Sequence, residues 1–275
     1  MVLNFVSSMN LKLYDSYGRR FIREFLEMKS NDIKLYIAFE DGIPEDILKF
    51  PDLNVLQLQD SNQVNFLESF SHLIEAHGTQ RVVTMDVLGK KQTQLSYNYR
   101  YDAIRFSFKI FSLLLAKKYM NSPDSFVWID ADVRCLRSFS KSDLKQFMPH
   151  NKQIMSYLGR TSFPAPNPYC EGGFIGFNGK NPNTDLYLNR VQQVYLTGEI
   201  FHKKEWHDCY QWDGVRVEFE NNGHIFKNIS GAAEILDHPF VNCGLEKFFD
   251  HLKGPERKRL GRSFNEDYKM KKGTS

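Results

Sequence analysis

The sequence predicts an α/β fold built on a mostly parallel sheet that is flanked by helices. In the first half of the 275-residue chain, short apolar segments that suit strands alternate with amphipathic segments that suit helices. Acidic residues stand where two of the predicted strands end, at Glu40–Asp41 and at Asp130–Asp132. Because ligands of such sheets bind beyond the carboxyl ends of the strands, these residues indicate a binding site at that edge.

The elements of the first half follow from their residue patterns. A helix is predicted over Tyr17–Met28, where apolar residues recur at helical spacing, and a clearer one over Tyr101–Tyr119. Segment 60–98 is predicted to start with a helix, while QTQLSYNYR, residues 92–100, is predicted to be a loop. The first three strands are short apolar runs: Leu3–Ser7, Ile33–Asp41 and Asn54–Gln59.

The next strand, Val127–Ile129, is the most informative element. Asp130 and Asp132 follow it, and in an extended chain their side chains leave the same face about 6.7 Å apart. Two carboxylates held in this way repel each other unless a positive charge lies between them. A divalent cation is therefore the simplest partner for the pair, although the tripeptide alone also suits a solvated turn.

The second half of the chain is less regular. A glycine-containing apolar strand is predicted at Gly172–Asn178. The segment EKFFDHL, residues 246–252, predicts a helix that stops at Lys253–Gly254. From Phe264 the chain is expected to form a loose tail, 264–275.

Composition excludes few functions. The chain has 36 basic and 33 acidic residues, and this net charge of +3 neither indicates nor excludes a nucleic-acid partner. The four cysteines lie far apart without a C-x-x-C pair, which argues against a zinc cluster and predicts a reduced chain. The first residues do not resemble a signal peptide, and no stretch approaches the roughly 20 apolar residues of a membrane span. We therefore expect a soluble, cytoplasmic protein without an integral membrane segment.

Four features, in order along the chain, resemble the GT-A glycosyltransferases of the family-8-like kind. They are a helix with Ala103-x-Arg105, the D-x-D of VWIDADV, the glycine strand GGFIGFN, and an H-x-K-G at His251–Gly254. The resemblance implies a GT-A fold, with a Rossmann-like doubly wound sheet, in a single domain over 1–263. Residues 1–135 would form its nucleotide-binding half and 136–263 its acceptor half. The chain looks like a small enzyme of the bacterial or phage type.

The same resemblance implies metal-dependent sugar transfer from a nucleotide sugar, with a UDP-sugar as the expected donor. Asp130, Asp132 and His251 would hold Mn²⁺ or Mg²⁺, which neutralises the departing diphosphate. The other donor-binding residues would be Asp130, Lys253, Gly254 and Lys258 at the diphosphate, Gly173 beneath the sugar, and Ser7, Ser8, Glu40 and Asp41 at the base and ribose. The expected catalytic residues are Asp102, Arg105 and Lys109 near the sugar, and Asp208, with Asp213 as second choice, as a base facing the acceptor hydroxyl.

Other interpretations stay open at the level of sequence. Asp102 and Arg105 also suit an ordinary pair on a helix, and Asp208 also suits a helix cap. The chain could instead be a nucleotidyltransferase that makes a nucleotide sugar, or a non-catalytic carbohydrate-binding relative. The acceptor could be a glycan, a lipid-linked sugar or a hydroxymethylated DNA base. Retention or inversion of the sugar, and the oligomeric state, are also open.

Overall fold

A computed structural model of the chain describes residues 2–85, 90–120, 123–161 and 169–269. Its strands are β1 (Leu3–Met9), β2 (Ile33–Phe39), β3 (Leu53–Gln57), β4 (Thr79–Met85), β5 (Lys91–Tyr97), β6 (Ser125–Ile129), β7 (Val133–Cys135), β8 (Gln153–Leu158), β9 (Glu171–Asn178), β10 (Ile225–Asn228) and β11 (Phe249–His251). Its α-helices are α1 (Leu11–Leu13), α2 (Arg19–Met28), α3 (Ser61–Phe70), α4 (Ala103–Tyr119), α5 (Lys141–Leu144), α6 (Asn183–Leu196), α7 (Asp208–Asn221) and α8 (Gly254–Leu260).

The central sheet has seven strands in the order β10-β8-β9-β6-β1-β2-β3. Strand β1 lies between two parallel neighbours, β2 and β6, and β3 extends the parallel part beyond β2. Strand β9 is antiparallel to both of its neighbours, β6 and β8, whereas β10 is parallel to β8 at the edge. The predicted α/β fold with a mostly parallel sheet flanked by helices is therefore confirmed.

Side chains of the central strands pack into two apolar cores, one on each side of the sheet. Successive strand residues point to opposite faces, so Phe5 packs in one core while Val6 packs in the other. On the first side, helix α2 places the Phe25 ring 5.0 Å from the ring of Phe5. On the second side, helices α3, α4, α6 and α7 supply the apolar contacts: Phe66, Phe111, Tyr195 and Trp212. Burying each of these large side chains contributes about 1.5–3 kcal/mol to folding.

A small second sheet pairs β7 with β11 in antiparallel fashion, with His251 opposite Val133. This pairing brings the end of β11 beside the turn that joins β6 to β7. The predicted helix over EKFFDHL is wrong, because after one 3₁₀ turn at Leu245–Lys247 the backbone pairs with β7. Gly254, expected to end a helix, instead begins α8, with a left-handed φ of 78°.

Strands β4 and β5 form a separate antiparallel hairpin. The prediction of a loop over residues 92–100 is therefore wrong for residues 92–97, which belong to β5. Every described residue of β5 is exposed, so the strand lacks the buried alternation that identifies most strands in a sequence.

The expected loose tail does not begin at Phe264. Residues Asn265–Asp267 form a 3₁₀ turn, and Asp267 Oδ1 lies 2.6 Å from Arg257 Nη2. Tyr268 packs against the first core, and the remainder of the predicted tail, 270–275, lies outside the described residues. Among the helices of the described residues, none has the length and apolar character needed to cross a bilayer.

Candidate active site

Three side chains expected to bind a metal converge at the end of β6. Asp130 and Asp132 follow that strand, and the small sheet brings His251 to them from β11. The Nε2 atom of His251 lies 3.3 Å from Asp132 Oδ1 and 3.6 Å from Asp130 Oδ2. One ligand atom from each residue can be chosen so that all lie within 4.8 Å of one another. Imidazole nitrogen and carboxylate oxygen together suit Mn²⁺, and carboxylate oxygen also suits Mg²⁺.

The state of Asp132 supports a cation at this place. Its Oδ1 atom is buried and accepts no hydrogen bond from the described residues, although His251 Nε2 lies nearby. Burial alone would raise the pKa of Asp132, but His251 and Lys258 outweigh it and hold the pKa well below its usual value. A buried, ionised oxygen without a hydrogen bond is costly, and a divalent cation would satisfy it. The residues present therefore fit the implied metal.

His251 is oriented by a carboxylate that the sequence did not single out as a site residue. Its Nδ1 atom lies 2.8 Å from Glu171 Oε1, and Nε2 is left to face the two aspartates. Burial acts to lower the pKa of His251, but the carboxylates of Asp132 and Glu171 outweigh it and raise the pKa to about 10. A bound cation would take the place of the Nε2 proton, because both use the same lone pair.

Glu171 lies at the start of β9 and is 2% exposed. Besides His251, it contacts Lys253 Nζ at 2.8 Å and His238 Nδ1 at 3.3 Å. Burial acts to raise the pKa of Glu171, but Lys253 and His238 outweigh it and lower the pKa well below the usual range. Glu171 is therefore an ionised carboxylate behind the candidate metal ligands. Lys253, which was expected to reach the diphosphate, is instead paired with it.

A buried lysine links Asp130 to the start of α7. Lys109 Nζ lies 2.5 Å from Asp208 Oδ2 and 3.0 Å from Asp130 Oδ1, and it donates to the carbonyl of Gly172 at 3.0 Å. Trp128 Nε1 donates to the same Asp130 oxygen at 2.6 Å. These contacts hold the Asp130 carboxylate from behind. Lys109 was expected to lie near the donor sugar. In the structure it contacts Asp130 and holds that carboxylate in place.

Asp208 does not suit the role of base. Its carboxylate is buried, and although burial acts to raise its pKa, Lys109 outweighs this and keeps the pKa well below the usual value. A carboxylate with so low a pKa is a poor proton acceptor at neutral pH. The alternative residue, Asp213, accepts from the backbone N–H of Cys170 at 2.7 Å and pairs with Arg216 at 2.9 Å. Both expected bases are therefore held in structural contacts.

The two glycines at the start of β9 allow these groups to meet. A Cβ atom at Gly172 would lie 2.9 Å from Cys209 Sγ and 3.0 Å from Lys109 Nζ. A Cβ atom at Gly173 would lie 2.5 Å from His251 Nδ1, so any side chain there would displace the imidazole. Gly173 was expected to lie beneath the donor sugar. In the structure the group that comes close to the Gly173 backbone is the His251 imidazole.

Two more cationic residues, Lys258 and Arg105, were expected to bind the donor. Lys258, on α8, lies 2.7 Å from Asp132 Oδ2 and 5.0 Å from the centre of the Tyr17 ring. Arg105, on the first turn of α4, is exposed, and its Nη1 donates to the Tyr97 hydroxyl at 3.3 Å. Gly254, which was expected at the diphosphate, is the first residue of α8. Lys258 therefore contacts one of the candidate metal ligands, whereas the Arg105 side chain contacts Tyr97.

Asp102 is a helix cap. Its Oδ1 accepts from the backbone N–H of Arg105 at 3.1 Å, and its Oδ2 accepts from the Tyr97 hydroxyl at 2.9 Å. The residue is buried, and it satisfies one of the free N–H groups at the start of α4. The expected catalytic role of Asp102 is not supported by this geometry.

The residues expected at the base and ribose lie at the carboxyl ends of β1 and β2. Ser8 Oγ donates to Glu40 Oε1 at 2.9 Å, and burial raises the pKa of Glu40 to about 7. Asp41 Oδ1 accepts from the backbone N–H of Leu11 at 2.8 Å. Ser7 is fully buried, so a nucleotide cannot contact its side chain in this conformation. Ser8, Glu40 and Asp41 thus remain candidates, and Ser7 does not.

Comparisons with known proteins give similarity at the level of the fold. No protein-family model and no curated protein sequence matches the chain. It is similar to the solved structure of a glycosyltransferase involved in the glycosylation of the major capsid of PBCV-1, with 9% identity and a TM-score of 0.49 over 94% of this chain and 100% of that one. It is similar to the glycosyltransferase GlyE of Streptococcus pneumoniae TIGR4, with 11% identity and a TM-score of 0.49 over 86% of this chain and 47% of that one. A third similarity is to mouse xyloside xylosyltransferase 1, with 9% identity and a TM-score of 0.44 over 83% of this chain and 85% of that one.

Proposed function

We propose that this protein is a metal-dependent glycosyltransferase that moves a sugar from a nucleotide-sugar donor, with UDP as the expected nucleotide, to an acceptor hydroxyl. The observation that carries the proposal is the convergence of Asp130, Asp132 and His251 around the buried Asp132 Oδ1. Such a ligand set at the carboxyl edge of a mostly parallel sheet suits a cation that binds a diphosphate. A glycan, a lipid-linked sugar or a modified DNA base would supply the hydroxyl.

Each residue has a defined part in this proposal. Asp130, Asp132 and His251 would hold Mn²⁺ or Mg²⁺, which when bound neutralises the charge that develops on the diphosphate. Lys258 stands beside Asp132 and would offer a second positive charge to the same phosphates. Arg105, exposed at the start of α4, would orient the donor sugar. Lys109 and Glu171 act from behind, on Asp130 and His251 respectively.

Binding of a nucleoside diphosphate tests the proposal. We expect UDP with Mn²⁺ to raise the unfolding temperature, because a ligand at 100 times its Kd adds about 2.7 kcal/mol to stability. The shift should disappear with a chelator and in Asp132→Asn. It should persist in the matched variant Asp185→Asn, whose exposed carboxylate pairs with Lys117 on the surface. If none of UDP, GDP, CDP and ADP gives a metal-dependent shift in the unfolding temperature, the proposed donor site is wrong.

The pairing of Asp208 with Lys109 supports transfer with retention of the anomeric configuration. An inverting enzyme needs a base to deprotonate the acceptor hydroxyl, and the carboxylate expected to do so is ionised, buried and held by a lysine. We therefore expect the product to keep the anomeric configuration of the donor sugar. The NMR coupling constant of the anomeric proton in freshly formed product measures this, and an inverted product would contradict the inference.

A further inference from the structure

The hairpin of β4 and β5 has two chemically different faces. Residues paired across an antiparallel ladder share a face, and the pairs alternate between faces along the strands. One face carries Arg81 opposite Leu95, Val83 opposite Thr93, Met85 opposite Lys91, and Thr79 opposite Tyr97. The other face carries Gln80 opposite Ser96, Val82 opposite Gln94, and Thr84 opposite Gln92. We call the first of these the Leu95 face.

The Leu95 face exposes a group of large apolar side chains. Val83 is 59% exposed, Met85 69% and Leu95 59%. The two strands form a sheet of their own, and a two-stranded hairpin is only marginally stable in water. Val83 and Met85 are two residues apart on β4, and Leu95 lies diagonally across the ladder from Val83. Exposed apolar side chains grouped in this way indicate a surface that contacts something else.

The charge of the hairpin narrows the kind of partner. The strands Thr79–Met85 and Lys91–Tyr97 contain no acidic residue, and Arg81 and Lys91 stand on the Leu95 face beside the apolar side chains. Aliphatic groups flanked by cations suit the boundary between hydrocarbon and anionic headgroups. A single-stranded nucleic acid would instead need aromatic side chains for its bases to stack on. Among its described residues, the Leu95 face has one aromatic side chain, Tyr97, where a stacking surface for successive bases needs several.

The inner end of the Leu95 face contacts the start of α4, the helix that also carries Lys109. Tyr97, at its inner end, donates to Asp102 and accepts from Arg105, both at the start of α4. One turn further along α4, Lys109 contacts Asp130. A surface that rests on the Leu95 face would therefore lie next to Arg105, which is exposed at the start of α4.

We propose that the Leu95 face docks this protein on the surface of an anionic lipid bilayer. Val83, Met85 and Leu95 enter the boundary of the hydrocarbon, while Arg81 and Lys91 contact the lipid phosphates. This docking goes beyond the proposed sugar transfer and does not depend on it, since it needs only the hairpin.

Co-sedimentation of the full chain with lipid vesicles tests the docking. We expect binding to vesicles of equimolar phosphatidylcholine and phosphatidylglycerol, weaker binding to phosphatidylcholine alone, and weakening by added salt. The double variant Val83→Ser/Leu95→Ser should bind more weakly by about tenfold or more, because binding then buries two fewer aliphatic side chains. Val82→Ser is the matched control, since Val82 neighbours Val83 but lies on the opposite face and should leave binding unchanged. Arg81→Gln should reduce binding only to the anionic vesicles.

Three results would overturn the docking proposal. The first is that the unchanged protein fails to bind the anionic vesicles. The second is that Val82→Ser and the double variant behave alike. The third is that the face binds something other than lipid. A concentration-dependent dimer in sedimentation velocity, or binding of an oligonucleotide, would show this if the double variant abolished it. Circular dichroism and the UDP-dependent unfolding shift, measured on every variant, separate a failure of docking from misfolding and from a failure of the proposed donor site.

Discussion

Glu171→Gln is expected to weaken Mn²⁺ binding by about 10–100-fold while the chain stays folded, which is the usual effect of losing a carboxylate behind a metal-binding histidine. The glutamine keeps the shape of the side chain but removes the charge that contacts His251 Nδ1 at 2.8 Å. The amide oxygen can still accept from Nδ1–H, but without the negative charge the imidazole loses part of its basicity. Titration of Mn²⁺ followed by electron paramagnetic resonance measures the affinity directly, without any sugar donor.

A second buried glutamate provides the control for this experiment. Glu24 is 6% exposed and lies 2.8 Å from Arg134, so Glu24→Gln also removes a charge from a buried ion pair. We expect this control to lower the free energy of unfolding without changing the Mn²⁺ affinity. If Glu171→Gln binds Mn²⁺ as tightly as the unchanged protein, Glu171 does not position His251 for a metal.

Lys109→Met is expected to lower the free energy of unfolding by about 3–5 kcal/mol at neutral pH, because it removes the nearest cation from the buried Asp208 carboxylate. Lys109 is the cation that faces both Asp208 and Asp130, and the side chains of Lys109 and Asp208 are 8% and 5% exposed. Adding Asp208→Asn to Lys109→Met removes the carboxylate that has lost its lysine partner and should recover part of the loss. Urea unfolding of the two single variants and the double variant gives the coupling free energy.

The surface pair of Lys117 and Asp185 is the matched comparison for Lys109. Its atoms are also 2.5 Å apart, but the Asp185 side chain is 56% exposed. Lys117→Met should therefore change stability by only about 0–1 kcal/mol. Equal losses in the two lysine variants would show that burial of the Lys109 pair has no energetic consequence.

The central sheet was predictable because its strands carry local signals. Apolar runs such as Ile33–Phe39 and Ser125–Ile129 are buried in the mostly parallel sheet, and helix Ala103–Tyr119 carries apolar residues at helical spacing. Two segments were predicted wrongly for opposite reasons. The hairpin strand Lys91–Tyr97 is exposed and shows no buried alternation, whereas EKFFDHL has apolar residues that suit a helix but pairs with a strand far away in the chain.

The sequence by itself determined which chemical groups could form a metal site: two carboxylates directly after a buried strand, and a histidine near the end of the chain. Tertiary structure decided how those groups are held. Glu171 meets His251 across 80 residues, and Lys109 meets the carbonyl of Gly172 across 63, so no local pattern marks either contact. The order of strands in the sheet and the pairing of β7 with β11 create both contacts. Lys253 was expected to bind the donor and Asp208 to act in catalysis. In the fold Lys253 pairs with the buried Glu171 and Asp208 with the buried Lys109, because a buried charge is costly unless it is paired.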